Sequence, residues 1–339
     1  MFNNLLYRYS IFLLVSVLIL ICAGALVTST QSGLAVPDWP NTFGYNMFTF
    51  PISKWVGGIY YEHLHRLVAS SVGFFIIILV FLTHKFDKRK WVKKLSLYLL
   101  LVVCFQGLLG GLTVLFLLPD LISTFHATLA QLFFCLVITN FVVQTKWWHN
   151  VSENKIENLN INHITKLSLT VFLIILLQLI FGAWMRHTES GLAIPDFPLA
   201  YGQIIPSLEN KNLESYNNYL FENNFRIFAD GQITKNQIIY NMLHRSWAYV
   251  VAIGILILVY KLKKYSHKNF PKIFTKLKLI LIFLIISQVA LGIFTILSRK
   301  SVLITTSHVV IGATILGIVW SITLILFRIK FVQNSKLSL

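Results

Sequence analysis

Eight apolar runs of about 20 residues each leave this chain few ways to fold; they lie near 9–29, 62–83, 95–118, 121–144, 166–186, 239–260, 278–298 and 302–327. A run of that length matches the hydrocarbon thickness of a bilayer, where backbone N–H and C=O groups must pair within the chain. Each run therefore predicts a membrane-spanning helix. Composition agrees, since only 12% of residues are charged against about a quarter in soluble domains.

The net charge of +17 would suggest a nucleic-acid partner in a soluble protein, but its placement gives it another meaning. Arg8 and the connections at 85–94, 146–166, 261–278 and 328–336 hold 20 of the 29 basic residues. These connections alternate along the chain. The positive-inside rule then puts both termini in the cytoplasm and the loops 30–61, 119–121 and 187–238 outside, with no nucleic acid as partner. The first run reads as a retained span, because it continues into a loop motif that the second half repeats. Cys22, Cys104 and Cys135 all fall inside spans, so an outer-loop disulfide is not available and they read as small core residues.

The chain repeats itself. At an offset of 158, Ser32 to Pro40 match Ser190 to Pro198 as S-G-L-A-[VI]-P-D-[WF]-P. At 179, His65 and Arg66 match His244 and Arg245; at 182, Gln106, Gly110, Thr113 and His126 match Gln288, Gly292, Thr295 and His308. The expected fold is an all-α integral membrane protein, with eight helices in two tandem four-helix bundles related by a pseudo-two-fold along the membrane normal. Residues 1–144 form the first unit, 145–166 a solvated cytoplasmic linker and 167–339 the second unit. The Asn-rich insertion around 207–237 reads as a surface loop. The repeated S-G-L-A-x-P-D segments carry turn chemistry and serve either as structural turns or as lids over an outer site.

His65 and His126 sit near the outer ends of the second and fourth helices, and His244 and His308 do the same in the second unit. An imidazole in hydrocarbon needs a partner or a metal. Two facing His from separate helices of a bundle suit a six-coordinate b-type haem, whereas zinc would call for further ligands that the repeat does not supply. His63, whose partner in the repeat is Met242, reads as interfacial. Arg66 and Arg245 follow the ligand candidates directly; they suit haem propionates, although Arg66 also stands four residues after Glu62 and can pair with it. Glu62 shares the helix face of His65, while its counterpart is Asn241. The first unit thus holds ligands plus an acid/base group and the second holds ligands alone, unless Glu62 is only a hydrated interfacial residue.

These residues resemble the haem A synthase family, over nearly the whole chain from about Gly24: S-G-L-A-V-P-D-W-P at 32–40, E-H-L-H-R at 62–66, their repeat versions, His126 and His308. The resemblance implies a bacterial inner-membrane enzyme that oxidises a ring methyl of haem O to the formyl group of haem A for cytochrome oxidase assembly. It implies Glu62 as the catalytic carboxylate, His65 and His126 at the substrate haem, and a haem b cofactor on His244 and His308. Haem O synthase and oxidase assembly factors are its implied partners. Some members carry a Cys pair in the first outer loop; this chain has none between Thr30 and Tyr61. Two other readings explain parts of the pattern: a two-haem b-type cytochrome exchanging electrons with quinone, and a parallel-repeat transporter using His as a proton relay.

Overall fold

The structure is a computed structural model that describes residues 2–151, 160–225, 232–263 and 273–337. Its helices are α1 (Asn4–Ser29), α2 (Gly57–Phe86), α3 (Lys90–Leu115), α4 (Asp120–Val143), α5 (Lys146–Asn150), α6 (Asn162–His187), α7 (Asn210–Glu222), α8 (Lys235–Lys263), α9 (Ile273–Leu297) and α10 (Val302–Leu337). All but α5 and α7 are long and apolar enough to cross a membrane. The described residues are all-helical, those of a multi-pass membrane protein with eight spans among them, and each apolar run of the sequence lies on one of these, a few residues adrift at some ends.

Helices α1 to α4 pack on one another, as do α6, α8, α9 and α10; the two sets meet where α1 and α4 touch α6 and α10. The core runs through that junction, with Leu13, Val137, Ile138, Leu316, Val319 and Ile322 buried. Outward faces present Phe81, Leu101, Phe283 and Ile286, an apolar surface suited to lipid tails. The positions matched by the repeat share backbone geometry. At the offset of 158, φ is 55° at both Gln31 and Glu189, and 51° and 52° at Phe43 and Tyr201. At 182, Leu117 and Leu118 (59° and 58°) match Arg299 and Lys300 (54° and 64°).

Two connections differ from expectation. The stretch 145–166 is not simply a solvated linker: Thr145 caps α5, whose Trp148 lies 5.3 Å from the Arg328 guanidinium, and α6 already begins at Asn162. Aromatic side chains there find partners on the basic face; residues 152–159 lie outside the described set. The insertion at 207–237 contains α7, because Tyr216 and Leu220, one turn apart, bury against Leu192, Ile194 and Ala200. Tyr216 stacks on Tyr201 with centroids 3.8 Å apart. Residues 226–231 of that insertion, and Lys155, Lys264, Lys268 and Lys272 of the basic loops, lie outside the described set.

Candidate functional site

Each of the four repeated histidines lies against a glycine of the preceding span. A Cβ added at Gly24 would stand 3.1 Å from His65 Cε1; for Gly110 and His126 the distance is 3.2 Å, for Gly182 and His244 2.9 Å, and for Gly292 and His308 3.2 Å. Any side chain larger than hydrogen would press on the ring. The glycines at 110 and 292 were visible in the sequence as repeat matches, but their role as ring cradles needed the helix packing.

Glutamines of the neighbouring spans contact three of the four histidines. Gln106 Nε2 donates to the His126 carbonyl at 2.8 Å, Gln178 Nε2 to the His244 carbonyl at 3.1 Å, and Gln288 Nε2 lies 3.4 Å from His308 Nε2. The Nδ1 atoms of His65, His126 and His308 are buried without a hydrogen-bond partner. All four histidines line one cavity of about 2350 Å³, together with Glu62, Arg66, Arg186, His187, Arg245 and Lys300. Pockets for a single drug-sized ligand run to about 300–1,000 Å³, so this space admits more than one large ligand.

Glu62 is 3% exposed and doubly held: Oε2 accepts the Val36 N–H at 2.7 Å, and Oε1 pairs with Arg66 at 2.6 Å. Arg66 also donates to the carbonyls of Val36, Asp38 and Asn41, and Arg245 to those of Ile194, Asp196 and Leu199. Both guanidiniums thus clasp the repeated S-G-L-A-x-P-D loop onto the helix below it. In the second half Asn241 Nδ2 donates to the carbonyls of Ser190 and Gly191, at 2.8 and 3.2 Å. At matched positions, therefore, Glu62 accepts from its loop and Asn241 donates to its own. Within each loop an aspartate organises the turn. Asp38 accepts the N–H groups of Phe43 and Gly44, both at 2.8 Å; burial raises its pKa, but those bonds and the Arg66 charge leave it below the usual carboxylate range.

Several expectations change. His63 is fully buried rather than interfacial: its Nδ1 lies 3.2 Å from Thr42 Oγ1, and Trp55 and Phe50 enclose its ring at 4.6 and 5.1 Å. The loop folds back over α2, which spacing along the helix did not reveal. Cys104 is exposed to the cavity rather than packed in the core. His149, which stands among the basic residues of 146–166, has a buried Nε2 and packs edge-on to Phe2. Arg186, His187 and Lys300 line the cavity although the sequence pattern had singled none of them out as a site residue.

The donor set fits haem. No group of three or more His, Cys, Asp or Glu suited to a metal ion occurs among the described residues. Paired imidazoles in glycine notches beside a large cavity suit axial ligation of a flat macrocycle. Fold and site together define a multi-span helical membrane protein with two pairs of cavity-lining imidazoles. The cytochrome oxidase assembly protein family, COX15-CtaA, matches residues 43–320, and the chain belongs to it. Its relatives include the haem A synthase of Halalkalibacterium halodurans, 26% identical over 94% of this chain and 96% of the relative. The haem A synthase of Shewanella oneidensis is 25% identical over 87% and 88%, and that of Pelagibacter ubique 28% identical over 80% and 74%.

Proposed function

We propose that the chain is a haem A synthase acting in cytochrome oxidase assembly. The family match and the near full-length relatives support this, and one observation carries it: four glycine-cradled histidines line a single cavity, with the buried Glu62 on the helix of His65 and Asn241 at the matched place on the helix of His244. On this reading residues 1–144 form a substrate unit and 167–339 a cofactor unit, joined by 145–166 and related by a pseudo-two-fold along the membrane normal. The shared backbone angles at matched positions favour that symmetry.

His65 and His126 hold the substrate haem O, and His244 and His308 hold a resident haem b. When bound, the haem b supplies one-electron transfer. Glu62 stands three residues before His65 on the same helix, so both address one region of the cavity. Arg66 and the Val36 N–H fix the direction of the Glu62 carboxylate. A carboxylate held there would stabilise positive charge developing on a bound substrate, or would accept a proton at a carboxylate oxygen. The basic loops fit a bacterial inner membrane with both termini cytoplasmic, and haem O synthase is the partner that supplies the substrate.

The test is to supply the full-length protein in membranes with haem O, extract the pigments and weigh them. Conversion of haem O to a species of haem A mass is the expected result. Haem b alone, with haem O unchanged in a fully loaded protein, would instead favour the electron-passing cytochrome.

A further inference from the structure

At the junction of the two halves the cavity wall carries two positive charges, Arg186 and Lys300, with the exposed Glu189 on the same wall but beyond ion-pair distance among the described residues. Arg186, in the last turn of α6, reaches across to α1, where one nitrogen donates to the Ala25 carbonyl at 3.2 Å and to Ser29 Oγ at 2.8 Å. Ser29 Oγ also accepts from Thr305 and Thr306 of α10, at 2.9 and 3.2 Å. The guanidinium is packed deep in the protein, lines the cavity and acts electrostatically on His308. Lys300, in the turn between α9 and α10, lines the same wall and lies close enough to Arg186 for the two charges to repel. Burial holds its ammonium below the usual lysine range; Glu189 opposes that shift and Arg186 adds to it.

Among the described residues neither Arg186 nor Lys300 has a carboxylate within ion-pair distance. Two like charges facing a cavity in a low-dielectric protein are unfavourable unless an anion joins them. Their counterparts in the first half are Thr28 and Leu118, on a backbone that repeats φ at Leu118 and Lys300. The charges are thus an addition to the repeat. Arg66 and Arg245, by contrast, spend most of their donors on loop carbonyls.

We propose that Arg186 and Lys300 form a carboxylate-binding site at the junction of the halves, which takes the acidic side chains of a porphyrin lodged between His244 and His308. The proposal rests on the haem reading of that pair. Guanidinium and ammonium together offer the donors that two carboxylates accept. Because Arg186 also holds α1, the site links occupancy in the second half to the position of the helix carrying Gly24, the cradle of His65.

The experiment uses full-length protein produced without haem and titrated in detergent with haem b and with its dimethyl ester, whose carboxylates are blocked. Low-spin absorbance reports binding. The native protein should prefer the free acid by about tenfold or more, the effect of one charge-assisted hydrogen bond. Arg186→Gln combined with Lys300→Gln should lose that preference while the ester binds as before, and Arg186→Lys should keep part of it. Equal binding of acid and ester by the native protein overturns the proposal, and loss of bound phospholipid in the double variant would then assign the site to a lipid phosphate. An unaltered preference in the double variant overturns it as well. If no low-spin haem forms on the native protein, or if it persists in His244→Ala, the haem reading itself fails, and the two failures are told apart.

Discussion

Glu62 and Asn241 stand at matched positions of a duplicated sequence and bond to their loops in opposite senses. Glu62→Gln preserves shape and can still accept the Val36 N–H, but gives up the Arg66 ion pair. Both haem sites should remain while haem A formation falls about a hundredfold or more, with haem O or a hydroxylated product accumulating in extracted pigment. Haem A at the normal rate would reduce Glu62 to an interfacial residue. Asn241→Glu should create no second active site, because the new carboxylate would face the Ser190 and Gly191 carbonyls that Asn241 now donates to. The ligands answer to a different test. His244→Ala or His308→Ala should abolish the low-spin b-type spectrum, since one imidazole cannot maintain bis-His ligation. Gly182→Val should do the same by displacing the His244 ring, whereas Gly254→Ala, where a Cβ finds 3.5 Å of clearance from Val171, should leave the spectrum unchanged. The histidines and Glu62 were legible because each half of the sequence serves as a control for the other. Arg186 and Lys300 were not, since charge at the end of a span is ordinary and the partners of Arg186 lie 161 and 157 positions away.

The two repeated loops have short 3-10 turns and one bridge each, and arginines of α2 and α8 fasten them to the helices below. Arg245 spans three carbonyls of the loop from Ile194 to Leu199, and Tyr201 of the same loop stacks on α7. Arg245→Met should free those carbonyls, so backbone amides in 190–203 should exchange with deuterium faster by about tenfold or more. Exchange in the first-half loop should not change. Uniform acceleration of both loops would mean that the fold had loosened generally and that Arg245 is no specific clasp. The spans themselves were readable from apolar run length alone, because the bilayer fixes both their length and their hydrogen bonding. The helix α7 was not: its burying face consists of Tyr216 and Leu220 in an Asn-rich stretch, and it became apolar in effect only where the neighbouring loop covered it.

The two sets of helices pack directly on each other, chiefly where α1 and α4 meet α6 and α10. On α10, Gly317 brings its backbone so near α4 that a Cβ there would stand 2.6 Å from Ile138 Cδ1 and 3.1 Å from Phe134 Cε1. One turn on, Trp320 Nε1 donates to the Cys135 carbonyl and to Thr139 Oγ1, at 3.1 and 2.9 Å, and its ring meets Phe172 of α6 at 4.6 Å. In lipid there is no hydrophobic drive to bring helices together, so association depends on such close approach and on interhelical hydrogen bonds. A protease site placed within 152–159 and cut after purification should therefore leave the halves migrating as one particle in mild detergent, with the b-type spectrum intact. Adding Gly317→Leu should make the cut halves separate, because a branched side chain must displace both Ile138 and Phe134, while the uncut variant stays a single chain and keeps its second-half haem. Separation of the cut native protein would show that the covalent connection, and not the contact of α4 with α10, holds the molecule together.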